Sequence, residues 1–450
     1  MLTSSSKRRA LFAAAVTFAL AAPAFTGSAS ADPKQFGALV GVGSDTTENV
    51  INGFAGFDSG AYYTPLSSPT GNRQLISWDA TAPAGAADNC ISLAGGIKVQ
   101  RPNGSGNGQE ALSRAFDGVA VTNAAGGWGT TADCGPASNS GRQDVSGLID
   151  FARSSSGKSS SFAGSDLTFV PFARDAVGVA IYRAAGTPVT DFTYAELETL
   201  YKASATGGSI TKNNSASTSV RTIACGIQLG SGTGSFLLTA LNGATATAVT
   251  AGQEANATSE CNALTGTLPA GVSFSTVSGS VGRLQEHDAA GLKAKGDLLA
   301  ATAGHEGDQV IVFFSAAKFI AKANGVVAGN PGPLGVDLAT LSPSAGVGPT
   351  GKGYTGTLAT SGTSTLAVDA TFYANTKFGR DVWNVIPTSI LTGPGNTDIK
   401  ELFVGTTANP TAVLCGSIAA ATRATFGFGA SSVACGNTAN TQGFRPGTFN

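Results

Sequence analysis

Two kinds of short apolar run alternate along this chain. Gln35–Val42, Leu167–Phe172, Val177–Tyr182, Gln309–Phe314 and Val382–Pro387 are strand-length stretches in which apolar residues follow one another with little polar interruption. Such runs suit strands covered on both faces, as in an α/β sheet. Between them lie helix-like patterns. Asp191–Lys202 places Tyr194, Leu197, Leu200 and Tyr201 on one face, and Ala316–Ala323 follows Ser315 as a cap and ends near Asn324 and Gly325. Glu48–Phe54 reads as a helix start with Asp45 or Thr46 as its cap. Asn330–Pro333 is a break, Ala328–Leu366 is loop-rich, and no solenoid-length repeat is present. The pattern predicts one multi-segment α/β architecture of buried strands followed by surface helices.

Four loops rich in glycine, serine and threonine punctuate that pattern: Gly43–Thr47, Gly104–Gly106, Arg153–Ser156 and Gly230–Ser235. The first lies between a strand and a helix, where open α/β sheets hold their ligands. Glycine lets backbone N–H groups come close to a ligand, hydroxyls add donors, and a following helix presents the positive end of its dipole. If the four loops converge, they enclose one small oxyanion. Taken singly, Gly230–Ser235 is equally an ordinary flexible turn.

The start of the chain reads as an export signal. Lys7, Arg8 and Arg9 precede an apolar stretch from Ala10 to Phe25, and Ala29–Ala31 offers a small-residue cleavage site before Asp32. That stretch contains Pro23 and falls short of the roughly 20 apolar residues a membrane span needs. The general secretory and twin-arginine routes both fit. No cysteine near the cleavage point offers a lipid anchor, and Thr411–Phe428, the longest later apolar stretch, is interrupted by Cys415 and Arg423. The expected product is secreted or cell-wall associated, with no integral membrane segment.

The chain beyond residue 31 is too long for one ordinary core and suits two domains. The formal net charge is −1 at pH 7, and removal of the cationic leader makes it more negative. That balance gives no electrostatic case for a nucleic-acid partner. The six cysteines form sequence-local couples, Cys90 with Cys134, Cys225 with Cys261 and Cys415 with Cys435, which in an exported chain read as disulfides. A metal site is the rival, but there is no C-x-x-C spacing and the only histidines are His287 and His305. Neither a metal nor another cofactor is expected.

Four segments, in order, resemble the signatures of the phosphate-binding protein of ABC importers: Leu39–Thr47 (LVGVGSDTT), Ile149–Ser155 (IDFARSS), Phe169–Phe172 (FVPF) and Gly230–Thr233 (GSGT). The resemblance spans Leu39 to about Asn324, and Phe378–Pro387 resembles a closing segment of secreted relatives. It implies a two-lobed periplasmic-binding-protein-like fold of the second topological class, with two crossings and the ligand in the cleft between lobes. Residues 32–173 and 332–450 would form a discontinuous first lobe and residues 174–331 the second. The implied function is capture of a small oxyanion, phosphate above others, for an ABC permease, by a protein expected to be monomeric. Carried over by position, Asp45, Thr46 and Thr47, Ser105 and Gly106, Arg153, Ser154 and Ser155, and Ser231, Gly232 and Thr233 would contact the ligand. Neutral donors suffice, because many aligned N–H and O–H groups can hold a dehydrated anion.

The chain departs from the family at two places. Ser155 stands where the family has the aspartate that accepts the proton of phosphate and repels sulfate, and Ile227 and Gln228 occupy the stretch where it has an arginine. Asp45 and Arg153 are the substitutes the sequence offers. Asp45 also reads as a plain helix cap, and Arg153 as the partner of a surface carboxylate. Arg174 and Asp175 read as a structural pair near a crossing. Glu286, His287 and Asp288 concentrate titratable groups, yet neighbours in sequence seldom face one site, and surface polarity accounts for them. Gly230–Gly234 has its serine one place early for a hydrolase elbow. Catalysis, including a secreted phosphatase, is therefore not expected. A cell-surface interaction module that kept the fold and lost the ligand is the alternative.

Overall fold

The computed structural model describes residues 39–82, 88–118, 134, 144–203, 207–242, 248–275, 279–393 and 395–445. The expected leader and its cleavage point lie outside these residues. The chain opens with β1 (Leu39–Gly43), α1 (Asp45–Phe54), β2 (Leu75–Ser77), α2 (Gly104–Asp117) and β3 (Phe151–Ser154). A 16-residue strand, β4 (Leu167–Tyr182), comes next. Then come α3 (Tyr194–Tyr201), β5 (Ser209–Asn213), β6 (Ser219–Ala224), α4 (Gly232–Ala240), α5 (Ala251–Ala263), α6 (Ala289–Ala300), β7 (Gln309–Ser315) and α7 (Ala316–Ala323). The last elements used below are β8 (Asp337–Leu338), β9 (Gly379–Pro387), α8 (Ser417–Thr425) and β10 (Asn440–Gln442).

One mixed ten-stranded sheet runs β5-β6-β7-β4-β9-β3-β1-β2, with β8 and β10 also pairing with β4. Its middle is what divides the molecule into two lobes. The first part of β4 pairs antiparallel with β9, from Leu167 opposite Pro387 to Ala176 opposite Gly379, and its remainder pairs antiparallel with β7. The chain thus leaves the first lobe along β4 and returns along β9. Side chains alternate across this sheet with the strand period of two. Phe172, Val382 and Ile386 join Leu39, Phe54 and Phe151 in one apolar cluster, whereas Phe169, Val385 and Ala152 join Val42, Leu112 and Ile149 in another. The second lobe has its own core, with Val179, Ile181, Leu197, Tyr201, Ile223, Leu292 and Phe313.

Several boundaries differ from the sequence reading, each for a local reason. Leu167–Phe172 and Val177–Tyr182 form one strand because Arg174 and Asp175 are neutralised across the ladder: Arg174 pairs with Asp381 at 3.0 Å and Asp175 with Arg380 at 2.8 Å. They are therefore not a pair with each other. Helix α1 begins at Asp45 with Ser44 in the capping position, so neither Asp45 nor Thr46 caps it. Helix α3 starts at Tyr194, because Thr193 and Glu196 form a reciprocal capping box and Asp191–Thr193 is a short strand. Ser315 caps α7 as expected. The segment from Gly332 to Phe378, placed by the sequence in the first lobe, sends Val336, Leu338, Tyr354, Phe372 and Phe378 into the core of the second.

All three sequence-local disulfides form. Among the described residues, no helix is long and apolar enough to cross a membrane. Behind the Cys225–Cys261 bridge, the buried Lys295 donates to the carbonyls of Cys261 (2.8 Å), Asn262 and Leu264 at the end of α5, and lies over the Phe274 ring. A helix end leaves its last carbonyls short of partners, and the Cys261 carbonyl has the Leu264 N–H besides Lys295. Lys295→Met keeps the stem and strips them of a donor. It should lower unfolding free energy by about 2–3 kcal/mol, read as a lower denaturant midpoint at unchanged slope.

A second lysine ties α7 to the start of α1. Lys318 lies 3.0 Å from Asp45 and 3.1 Å from Glu48, and also donates to Asn49. One ammonium cannot neutralise two buried carboxylates. For Asp45, burial is outweighed by Lys318 and the carboxyl stays below its ordinary value. For Glu48, burial wins over Lys318, with Asp45 and Asp79 adding repulsion, and its pKa is pushed up to about 8 from 4.5. Such a carboxyl holds its proton longer folded than unfolded. Its contribution is intact below pH 4.5 and is lost as pH climbs towards about 8. Glu48→Gln should match the parent protein near pH 4.5 and exceed it by on the order of 1–3 kcal/mol above pH 8. Melting curves of both proteins across that range check this, and a variant less stable at the alkaline end would contradict it.

Candidate functional site

The four glycine and hydroxyl loops meet between the lobes. Two belong to helix starts of the first lobe, at α1 and α2, one follows β3 of the same lobe, and one opens α4 of the second. Neither Ser44 nor Asn103 makes a side-chain cap to its helix. The first N–H groups of α1 and α2 are therefore left without that partner. Helix α4 differs, since the Ser231 hydroxyl accepts from the Gly234 N–H at 3.0 Å.

Glycine is required where the lobes touch. Gly104 has φ +90°, and a Cβ there would stand 2.4 Å from the Gly230 carbonyl oxygen across the cleft. At Gly232 a Cβ would stand 2.3 Å from both the Ser105 and Ser155 hydroxyls. Those two serines are 3.3 Å apart, and the Ser155 N–H donates to Ser105 Oγ at 2.9 Å. Gly106 contributes an N–H aimed at Gly230 O at 3.5 Å.

One residue beyond Gly232, Thr233 completes a ring of polar groups. Thr46 Oγ1 of α1 lies 3.4 Å from Thr233 Oγ1 of α4. Arg380 Nη2 donates to Thr233 at 2.8 Å and to Thr46 at 3.3 Å. The guanidinium is held in place by Asp175 Oδ2, at 3.1 Å from Nε and 2.8 Å from Nη2, and stands over the Phe236 ring. Both threonine hydroxyls donate to Glu286 Oε1, Thr46 at 3.0 Å. Glu286 and His287 are each only 2% exposed. The Ser315 N–H donates to His287 Nδ1 at 3.1 Å. Nδ1 is therefore the acceptor and Nε2 carries the hydrogen, 3.1 Å from Glu286 Oε1 and 3.0 Å from Thr46 Oγ1.

Burial alone would raise the Glu286 carboxyl. The Nε2–H of His287, the Arg380 guanidinium and the Thr233 hydroxyl work against burial and hold it below the usual carboxylate range, as an anion. Among the described residues, two atoms of this ring find no partner: Glu286 Oε2, an acceptor, and Arg380 Nη1, a donor. An interlobe cleft of about 910 Å³ opens beside the ring, lined by Asp45, Asn103, Gln285, Glu286, His287 and Lys318 among others.

The sequence candidates fall into three groups. Thr46, Ser105, Ser155, Gly232 and Thr233 are brought together, with Gly106 and Ser231 alongside. Thr47 is buried with its hydroxyl unpartnered beside them in α1. Asp45, Arg153 and Ser154 are engaged elsewhere. Asp45 pairs with Lys318. Arg153 is buried, and its nitrogens donate to the carbonyls of Gly43 (3.0 Å) and Ser44 (3.1 Å) and to the Ser77 hydroxyl, bracing the first loop from behind in place of a surface carboxylate. Ser154 accepts from Gln109 and donates to the Ser156 carbonyl.

Four residues of the ring were missed. Glu286 and His287 are interior, not surface polarity, and only Asp288 of that trio keeps a local task, capping α6 through the Gly291 N–H. His287 adopts φ +60°, and this left-handed turn lets consecutive residues both face inward. Arg380 and Asp175 carried a usable signal. An Arg-Asp pair in each of two strand-like runs, 174–175 and 380–381, becomes two ion pairs when those runs lie antiparallel.

No family model matches this chain, and no curated protein matches it. Several solved structures are similar to it at a distance. An ABC-type phosphate transport receptor from Vibrio cholerae is 13% identical, with 87% of this chain and 100% of that one aligned at a TM-score of 0.39. A phosphate-binding protein from Stenotrophomonas maltophilia is 13% identical over 78% and 79% of the two chains at a TM-score of 0.37. An ancestral soluble variant of the human phosphate-binding protein is 12% identical over 88% and 90% at 0.38. Likeness at this level fixes neither a ligand nor a partner.

Proposed function

We propose that this chain is an extracytoplasmic solute-binding protein that captures a small oxyanion, phosphate above others, between its lobes for ABC-type uptake. The observation that carries the reading is the meeting of Thr46, Ser105, Ser155 and Thr233 around Gly232 with the Arg380 guanidinium. Hydroxyls from both lobes and one fixed cation form a donor set suited to a tetrahedral anion, and a ligand bonded to both lobes favours closure. Thr47, Gly106 and Ser231 supply further donors at the rims of the same loops. The two crossings, β4 and β9, carry Asp175 and Arg380 and so place the cation at the hinge side of the cleft.

One observation favours the alternative, an interaction module that kept the fold and gave up the ligand. The Glu286 carboxylate already lies among the donors, and the family's aspartate and arginine are absent from their motif positions. The same titration decides between the two. Mature, oxidised protein stripped of anions is titrated calorimetrically with phosphate, with sulfate, molybdate and a phosphonate alongside. Phosphate heat is expected, and Thr233→Val and Thr46→Val should each weaken phosphate binding about 10- to 100-fold by removing one hydroxyl from a buried anion. A flat titration with every anion, matched by an unmoved melting temperature, would leave the interaction module.

A further inference from the structure

We infer that Glu286 is a built-in competitor for the anion site: its carboxylate occupies the donor ring of Thr46, Thr233 and Arg380, and an incoming oxyanion must displace it. The inference rests on the reading of that ring as an oxyanion site. It adds that the site is filled by the protein itself.

The geometry is that of a bound anion. Glu286 Oε1 takes hydrogen bonds from Thr46 of the first lobe, Thr233 of the second and His287 Nε2. The Arg380 nitrogen that touches both threonines flanks the same point. The carboxylate therefore bridges the lobes as a ligand would. A fully deprotonated oxyanion added beside it would set like charges in contact inside a buried site, where Coulomb repulsion is strong. Ligand and carboxylate exclude one another for that reason.

The carboxylate is also incompletely held. Its Oε2 is buried without a partner while Arg380 keeps Nη1 unused. An oxyanion with several acceptor oxygens can use that spare donor, and a side chain contributing one saturated oxygen does not. The chain around Glu286 gives it a way out. Glu286 and His287 both line the 910 Å³ cleft, and the left-handed His287 is anchored by Ser315 and by Lys322, whose Nζ donates to the His287 carbonyl at 2.8 Å. A side-chain rotation into the cleft releases Glu286 without moving that anchored turn.

The test is phosphate titration of wild type, Glu286→Gln and Glu286→Ala, joined to melting curves in anion-free buffer. Both variants should bind phosphate at least about tenfold more tightly than wild type, since each removes the competing charge. Both should melt lower than wild type without anion and recover with phosphate, the external ion replacing the internal one. Weaker phosphate binding by Glu286→Gln, with wild type binding well, would overturn the inference and leave the oxyanion site standing, Glu286 then acting as an acceptor for the ligand's proton. No binding by any of the three proteins would overturn both.

Discussion

The cross-strand pairing of Asp175 with Arg380 is the constraint on which the rest of the site depends. The two residues face each other in antiparallel strands that carry the chain from one lobe to the other, in a ladder where Arg174 pairs with Asp381 at the next step. Asp175 also accepts from the Ser315 hydroxyl and the Ala317 N–H, so it fixes the start of α7 as well as the guanidinium. A buried arginine is stable only when its charge is paired and its donors are used. Asp175 meets both needs on one edge and leaves the other edge to the threonines. The site's cation thus belongs to the crossings, while the hydroxyls belong to helix starts on either side.

The balance of charge in the cleft is set by that placement. Lys318 is committed to Asp45 and Glu48, and Lys322 to the carbonyl of His287, so neither supplies an unclaimed positive charge at the ring. Arg153 is spent on the carbonyls that shape the first loop. At the ring itself neutral donors and one guanidinium remain, and that guanidinium stands between the carboxylates of Asp175 and Glu286.

Much of the fold was readable from the chain because it was written locally. Ser315 and the apolar run before it locate β7 and α7, and an even set of cysteines in sequence-local couples matches the three bridges. The loop motifs were legible for the same reason: glycine at 43, 104 and 232 is demanded by neighbouring groups that a Cβ would strike. Arg380 and Glu286 were harder, since each is defined by partners far away along the chain. A charged residue in isolation reads as surface, and only the register of β4 against β9 turns 174–175 and 380–381 into interior pairs. The packing of 332–378 was hidden for a like reason, because a loop-rich composition says nothing about which core its few apolar side chains reach.

The position of Glu286 bears on the uncharged residue at Ser155, which meets Ser105 beside Gly232. Two carboxylates facing one buried anion site could not both stay ionised, since like charges at such separation raise each other's pKa. With Ser155 in that place the site holds one negative group, and it sits on the turn before α6, where its rotation is coupled to the cleft rather than to the sheet. The carboxylate of the ring is thereby carried by a turn of the second lobe and not by the end of β3.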